Sequence, residues 1–381
     1  MTVHASELDV PEQWQDWARR RPHPRVAHFD TAAAGRSSEA VLRAAAEHAR
    51  LEAEVGAYVA ESEAAQALAE GRAALAGLVG VPAEGLAFTE SASAARSAVL
   101  SAWPFEEGDT VGVVPSEWGP NLEAFATRGL RLVELATCPE GRVDLEQLER
   151  RLATAPPTIV HLTQAASHRP LVQPVAEVGE LCRAAGVALW VDAAQALGHM
   201  DTAVGADVVY APARKWLAGQ RGVGVLAVRA EWWSSLRVQR SAMDNGERPV
   251  VHRLEHPEAH VAGRVALCAA VHEYLDAGPC TVWQRLAQVG LRTRETLSGL
   301  PGWQVVDGPE AQGAISALRP TEGQDVTATR ARLLANHEML TTAALPPRAP
   351  REMTEPLLRI SPHVDCSTDA LHRLRNALAA T

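Results

Sequence analysis

Short apolar runs alternate with longer helical segments as far as residue 278, and this alternation restricts the possible fold classes to very few. The predicted strands cover residues 85–88, 110–114, 131–135, 158–163, 187–191, 208–210 and 222–228, and helices are predicted between most of them. Repeated strand–helix–strand units form a mainly parallel sheet with helices on both faces. The predicted fold class is therefore α/β, with a ligand site beyond the carboxyl ends of the strands.

The pattern changes in the last third of the chain, where a smaller α+β lobe is expected. Two helices follow residue 263, and then strands at 304–306, 313–318 and 357–360 precede a final helix at 368–379. Near the N-terminus, residues 41–69 are expected to form one Ala-rich helix. We place the lobe boundary near Gly278-Pro279, which gives a large domain over 28–278 and a small C-terminal domain over 279–381. Residues 1–27 are expected to form an N-terminal segment that packs with the small lobe.

Composition and charge exclude several classes of partner. The 381 residues carry a formal net charge of −10 with a pI near 5.8, so no general attraction to nucleic acid or to an anionic membrane is expected. No run approaches the roughly 18 apolar residues of a spanning helix, and the first 17 residues are too polar for a secretory signal. The five isolated cysteines indicate a reducing compartment. We therefore expect a soluble cytoplasmic protein.

Two neighbouring strand ends carry an acid and a lysine. The apolar run 187–191 ends at Asp192, and the run 208–210 leads to Lys215. Pyridoxal 5′-phosphate needs a lysine that forms a Schiff base with its aldehyde and an acid that keeps its pyridine nitrogen protonated. The alternative is a surface lysine after a strand and an aspartate that caps the next helix.

An anion site is predicted where a strand meets the next helix. In the segment Ser91-Ala92-Ser93, the backbone N–H groups at the start of the helix would point at an anion that the helix dipole favours. The alternative is an ordinary N-cap.

These segments resemble the class V aminotransferase branch of the fold-type I pyridoxal-phosphate enzymes. The resemblance covers about residues 28–359 and rests on landmarks in the family's order, namely residues 28–33, 89–94, 116–118, 192–195, Lys215 and Arg359. It implies the fold-type I transferase fold, pyridoxal 5′-phosphate as cofactor, and a homodimer with its sites near the interface.

The resemblance also assigns roles to individual residues. It assigns Lys215 to the Schiff base with the cofactor and Asp192 to the pyridine nitrogen. Ala92, Ser93 and Arg214 are assigned to the phosphate. Trp118 and Ala194 are assigned to the two faces of the ring, and Gln195 to the ring oxygen. The residues that it assigns to the substrate are Arg359 at the α-carboxylate, Ala33, Gln164, His168 and Tyr58. Tyr58 would meet a quaternary ammonium through a cation–π contact. Plain structural roles remain open for Trp118, Arg359, His168 and Tyr58, and no metal ligand is expected.

Departures from the family narrow the expected reaction. Cysteine desulfurases carry a loop cysteine before the carboxylate-binding arginine, but residues 281–365 contain no cysteine and the loop reads Leu345-Pro346-Pro347-Arg348. Three longer segments, 52–59, 162–169 and 213–222, resemble the hercynylcysteine sulfoxide lyases of ergothioneine biosynthesis. That likeness implies β-elimination from a cysteine sulfoxide conjugate, giving a sulfenate, pyruvate and ammonia. Transamination, epimerisation, desulfuration and a non-catalytic role remain as alternatives.

Overall fold

The computed structural model describes residues 10–238, 248–256, 258–308 and 311–380. Residues 1–9 of the predicted N-terminal segment lie outside these ranges. The helices are α1 (Glu12–Arg19), α2 (Glu39–Val55), α3 (Ala57–Glu63), α4 (Ala65–Val79), α5 (Ala92–Ala102), α6 (Gly119–Thr127), α7 (Leu145–Thr154), α8 (Val175–Ala184), α9 (Val261–Ala277), α10 (Pro279–Leu297), α11 (Val326–His337) and α12 (Thr368–Ala379). The strands are β1 (Ala27–His28), β2 (Leu86–Thr89), β3 (Thr110–Val113), β4 (Arg131–Glu134), β5 (Ile159–Thr163), β6 (Ala188–Asp192), β7 (Val208–Pro212), β8 (Gly224–Val228), β9 (Trp303–Val306), β10 (Ser316–Pro320), β11 (Met339–Leu340), β12 (Thr342–Ala344) and β13 (Leu357–Ile360).

The large lobe is built on a seven-stranded sheet with the order β2-β8-β7-β6-β5-β3-β4. All neighbouring strands are parallel except β8, which runs antiparallel to both β2 and β7. This confirms the predicted α/β class with a mainly parallel sheet. The register aligns Thr163, Asp192 and Tyr210 on three adjacent strands, so their side chains share one face at the carboxyl edge.

Apolar clusters cover both faces of this sheet. On one face Trp190 is fully buried and contacts Trp103, Phe105 and Phe125 through their rings. On the other face Leu162 and the helices α4 and α9 contribute to the largest core cluster. Burial of each such large side chain contributes about 1.5–3 kcal/mol. Within the described ranges, each helix is too short or too polar to traverse a lipid bilayer.

The single helix predicted over residues 41–69 is wrong, because three helices occupy that stretch. α2 ends at Val55, and Gly56 adopts φ +88, which lies outside the helical region and turns the chain before α3. A second break at Ala64 separates α3 from α4. Ala-rich periodicity does not reveal such breaks, because alanine is compatible with every turn of the helix.

The small lobe contains the antiparallel sheet β12-β13-β10-β9 and the helices α10 to α12. The proposed lobe boundary falls between α9 and α10, where Gly278 has φ +81. The N-terminal segment contacts this lobe at two places. β1 pairs with β11, and the ring of Trp17 stacks on His363 at 5.3 Å.

Candidate active site

A pocket opens at the carboxyl edge of the large sheet, beyond the ends of β5, β6 and β7. This is the position expected for a ligand site in a parallel sheet. Its lining comprises Ser91, Ala92, Ser93, Arg96, Trp118, Asn121, Thr163, Ser167, Asp192, Ala194, Gln195, Tyr210, Pro212, Arg214, Lys215 and Arg348.

Lys215 faces this pocket from the turn that follows β7, and it is the single lysine of the whole chain, against 35 arginines. Its backbone is tightly packed, since a Cβ added at Gly35 would collide with the carbonyl oxygen of Lys215. Burial, helped by the charge of Arg214, lowers the pKa of the Lys215 ammonium to about 7, although Asp192 acts in the opposite direction. Its amine is therefore largely neutral and nucleophilic slightly above neutral pH.

Asp192 ends β6 and is held by two donors. The Asn121 side-chain amide donates to Oδ2 at 2.9 Å, and the backbone N–H of Ala194 donates to Oδ1 at 2.9 Å. Asn121 is itself oriented by Arg96, whose guanidinium donates to the amide oxygen at 2.7 Å. The carboxylate is thus fixed in direction, as an acid that pairs with a ring nitrogen requires.

A buried polar network links Asn121 to Tyr210, another residue of the pocket lining. Asn121 also donates to Glu117, whose second oxygen lies 3.0 Å from His161 Nδ1, and His161 Nε2 lies 2.7 Å from the Tyr210 hydroxyl. Burial opposes ionisation of Glu117, but His161 and the bonds from Thr163 and Asn121 outweigh it and lower the pKa of that carboxyl. Burial and the charge of Asp192 raise the pKa of Tyr210.

Sequence reasoning did not find this network, and two patterns could have indicated it. Glu117 lies four residues before Asn121, just ahead of α6, so the chain itself keeps the two side chains within reach of each other. His161 is a polar residue in the middle of the fully buried strand β5, where an unpaired side chain would be costly and a partner should therefore be expected.

The predicted anion site occupies one end of the pocket. Ser91 is the N-cap of α5, and its hydroxyl accepts from the Ala94 N–H at 3.1 Å. The backbone N–H groups of Ala92 and Ser93 belong to the first turn, which has no acceptors within the helix. β8 approaches this turn closely, since a Cβ at Gly224 would lie 2.7 Å from the Ser91 carbonyl carbon. The turn serves as an N-cap and still leaves donors for an anion.

Positive charge exceeds negative charge in the pocket lining. Arg214 and Arg348 both face the pocket, and neither guanidinium forms a hydrogen bond or ion pair with any residue that the structure describes. Burial and the charges of Arg359 and Arg214 lower the pKa of Arg348 to about 10, so it remains charged at neutral pH. Asp192 is the acidic residue of the lining. A pocket with this balance suits an anionic ligand.

The eight residues assigned to the cofactor from the sequence all line this pocket: Ala92, Ser93, Trp118, Asp192, Ala194, Gln195, Arg214 and Lys215. Gln195 has protein partners at both amide atoms, because its nitrogen donates to the Ala32 carbonyl at 2.8 Å and its oxygen accepts from Trp216 at 2.9 Å. One amide hydrogen is left for a ligand.

None of the five residues assigned to the substrate belongs to the pocket lining. Arg359 is fully buried, and its guanidinium donates to Asp30 at 2.9 Å and to the Ser167 carbonyl at 2.8 Å. Its Nε–H has no partner within the described part of the chain. A substrate carboxylate at Arg359 would therefore have to use Nε or displace the Asp30 interaction.

The other four have contacts outside the pocket lining. His168 Nε2 is 2.8 Å from Glu352, and the amide of Gln164 donates to the Asp201 carbonyl at 2.6 Å. Ala33 lies in the turn closed by its N–H bond to the Asp30 carbonyl. Tyr58 on α3 is 82% exposed. The structure therefore brings the cofactor set together but leaves the substrate set outside the lining.

The pocket fits pyridoxal 5′-phosphate by the chemistry of its donors. It combines a lysine with a lowered pKa, a fixed carboxylate, helix N–H donors for a phosphate, and two arginines that have no hydrogen-bond partner among the described residues. Trp118 and Ala194 provide an aromatic and a small apolar surface for the ring. These are the groups that bind and tune this cofactor.

Comparison with known proteins points to the same family. The family model for aminotransferase class-V matches residues 27–329. A "probable hercynylcysteine sulfoxide lyase" of Mycobacterium tuberculosis (strain CDC 1551 / Oshkosh) is 46% identical over 365 residues, covering 96% of this chain and 92% of that protein. An isopenicillin N epimerase of Amycolatopsis lactamdurans is 28% identical, with 81% and 83% of the two chains covered.

Solved structures share the fold at low identity. The apo cysteine desulfurase of Thermococcus onnurineus NA1 has a TM-score of 0.83 at 20% identity and covers 100% of this chain and 98% of its own. A variant of the protein C-DES, solved with glycine linked to its pyridoxal-phosphate cofactor, has a TM-score of 0.82 at 18% identity, with 96% and 98% covered. The fold is thus that of fold-type I pyridoxal-phosphate enzymes. The chain belongs to the class V aminotransferase family, and it is a pyridoxal-phosphate-dependent carbon–sulfur lyase.

Proposed function

We propose that the substrate is a cysteine sulfoxide conjugate, hercynylcysteine sulfoxide, and that β-elimination releases a sulfenate, pyruvate and ammonia. Reduction of the sulfenate by a thiol would then give ergothioneine. The observation that carries this proposal is the 46% identity, over 96% of the chain, to a protein named for that substrate. The proposal agrees with the absence of cysteine from residues 281–365, the sequence region in which desulfurases carry their loop cysteine.

The chemistry begins with proton removal from the substrate Cα. When bound, pyridoxal phosphate withdraws electrons from Cα and so makes its proton acidic. Lys215 Nζ is the base that accepts this proton, and its pKa near 7 lets it accept and return protons at neutral pH. Asp192 would hold a proton on the ring nitrogen of the bound cofactor through an ion pair, and Asn121 and Ala194 keep its carboxylate in place.

The remaining residues bind and orient. The first turn of α5 and Arg214 would hold the phosphate, and Trp118 would pack on one ring face with Ala194 on the other. Gln195 would use its remaining amide hydrogen on the ring oxygen. Arg359 Nε remains the proposed contact for the α-carboxylate. His168, Gln164 and Ala33 are proposed as substrate contacts, and Tyr58 is proposed for the quaternary ammonium of the substrate.

The test is a product analysis of the cofactor-loaded protein. Hercynylcysteine sulfoxide should yield pyruvate and ammonia in equal amounts, and free cysteine should yield no alanine. Alanine and persulfide from cysteine, without pyruvate from the sulfoxide, would identify a desulfurase instead. Transfer of the amino group to a 2-oxo acid would identify an aminotransferase, and loss of α-stereochemistry without elimination would identify an epimerase.

A homodimer with sites near its interface is part of the proposal. An exposed apolar group at the α2–α3 junction, formed by Val55, Tyr58 and Val59, supports it, because such groups commonly mark protein interfaces. Tyr58 would then reach a substrate from the second copy. Light scattering should give twice the chain mass, and Tyr58→Ala should raise KM for the sulfoxide. A monomeric mass with an unchanged KM would contradict both.

The unpaired cysteines are consistent with the cytoplasmic location that we also propose, which detection in a secreted fraction would contradict.

A further inference from the structure

Arg348 is a pocket residue that the proposed chemistry has not yet used. It lies in the short turn Pro346–Arg348 of the small lobe, although the remainder of the pocket lining comes from the large lobe. Its guanidinium carbon lies over the Trp118 ring, 5.5 Å from the centroid. The side chain is half-buried, and the preceding residue Pro347 is exposed, so Arg348 lies at the pocket mouth.

The turn that carries Arg348 is fixed against the large lobe. Gly119, directly after Trp118, has no Cβ, and one added there would collide with the carbonyl oxygen of Pro347. The same Cβ would lie 3.3 Å from Pro350 Cδ. This close backbone approach sets the position of the turn relative to Trp118. The arginine is therefore held over that ring rather than free to sample solvent.

Among the residues that the structure describes, Arg348 has no hydrogen-bond acceptor, unlike Arg96 and Arg359. Arg96 donates to Asn121, and Arg359 donates to Asp30 and to the Ser167 carbonyl. Arg214 also has no acceptor, but it is adjacent to Lys215 and is assigned to the cofactor phosphate. A guanidinium at the mouth with up to five free donors is a binding group for an oxygen of the ligand.

The position of Arg348 at the pocket mouth indicates which oxygen this is. The substrate's α-carboxylate and amine are attached to the carbon that Lys215 deprotonates, so they lie at the level of Lys215. The sulfoxide oxygen is three bonds further along the side chain, toward the mouth through which the sulfur fragment leaves. On the basis of the proposed function, we propose that Arg348 binds the sulfoxide oxygen of the substrate and stabilises the sulfenate that departs.

The electron balance of this step gives the arginine a catalytic effect. The Cα–H electron pair forms the Cα–Cβ double bond, and the Cβ–S pair leaves with sulfur, so the sulfoxide becomes a sulfenate anion. The proton goes to Lys215 Nζ, and no oxidant or reductant is needed. Negative charge on the oxygen grows as the bond breaks, and a fixed cation therefore binds the transition state more strongly than the substrate.

The experiment compares two substrates that share an α-carboxylate but differ in the leaving group. Arg348→Gln should lower kcat for hercynylcysteine sulfoxide by about 10²-fold, the usual cost of one oxyanion donor. Elimination of chloride from β-chloro-L-alanine, which has no oxygen at that position, should change by less than about threefold. Arg351→Gln is the matched control, because Arg351 lies three residues later and pairs with Glu134 outside the pocket.

A binding measurement accompanies the kinetics. In the Lys215→Ala background, which cannot complete the reaction, the dissociation constants of the sulfoxide and of the corresponding thioether are compared with and without Arg348→Gln. Arg348→Gln should weaken binding of the sulfoxide and leave binding of the thioether unchanged. Gly119→Ala, which displaces the turn, should reproduce the selective loss for the sulfoxide.

Equal losses for the sulfoxide and β-chloro-L-alanine would overturn the inference, because they would assign Arg348 to the α-carboxylate. Equally weakened binding of the sulfoxide and the thioether would also overturn the inference. No loss for either substrate would show that Arg348 only packs on Trp118. A wild-type protein that eliminates chloride but not the sulfoxide would instead contradict the proposed function.

Discussion

Replacing Lys215 by alanine is expected to lower pyruvate formation by about 10⁴-fold or more. The substitution removes the attachment point of the cofactor together with the base at Cα, and a positioned base alone contributes about 10²–10⁴-fold. The effect is cleanly interpretable, because Lys215 is the single lysine of the chain and no other ε-amine can substitute. Borohydride reduction of the loaded wild type should attach the cofactor to residue 215, and the variant should acquire no such label.

Arg221→Ala provides the matched control. Its side chain is an exposed cation six residues later, outside the pocket, so activity and labelling should match the wild type. A Lys215→Ala variant that keeps more than about 1% of the activity would exclude Lys215 as the general base, since such a base contributes about 10²-fold or more.

The lowered pKa of Lys215 can be measured on the cofactor-free protein. An amine-acylating reagent reacts with the neutral amine, so the rate at residue 215 should rise about tenfold per pH unit below pH 7 and level off above it. This direction follows because burial lowers the pKa to about 7 and the neutral form therefore predominates above that pH. A rate that still rises steeply between pH 8 and pH 10 would indicate an ordinary, solvated lysine.

Asp192→Asn is expected to have the second largest effect. The substitution keeps the shape of the side chain but removes the charge that pairs with the protonated ring nitrogen. Loss of one partner from a buried pair costs about 3–5 kcal/mol, which corresponds to about 10²–10⁴-fold in rate if the cost is felt in the transition state. The cofactor should remain bound while kcat falls, so absorbance and activity should separate.

Asp207→Asn is the control for Asp192. Asp207 precedes β7 at the opposite edge of the same sheet and accepts a bond from the Leu189 N–H at 2.8 Å. Its loss should lower stability slightly and leave kcat unchanged. If Asp192→Asn lowered activity by less than about threefold, far below the loss expected when a buried ion pair loses one partner, the ion pair with the ring would be excluded.

The cofactor set could be predicted from the sequence because its residues occupy positions that local pattern defines. Asp192 follows an apolar run, Lys215 follows the next one, and Ser91 stands between a strand and a helix. In a parallel sheet such positions all meet at the carboxyl edge, so no knowledge of side-chain packing is needed. The substrate set was harder, because those residues come from turns and from the small lobe, whose position the alternation of elements does not define.

Arg359 and Arg348 illustrate the difference. The sequence indicates an arginine at the end of a strand, but the structure shows that Asp30, more than 300 residues earlier, already accepts from it. The sequence also indicates that residues 346–350 form a loop, but it gives no sign that Gly119 receives this loop and holds Arg348 over Trp118.

The sequence by itself determined the α/β class, the lysine–aspartate pair and the helix start that can receive a phosphate, because each depends on periodicity or on neighbours in the chain. Only the tertiary structure decided the break at Gly56, the network from Asp192 through Asn121 to Glu117 and His161, and which arginines are free. Backbone reversal at a glycine and pairing between distant segments depend on which elements come into contact, and that is set by packing of the whole chain.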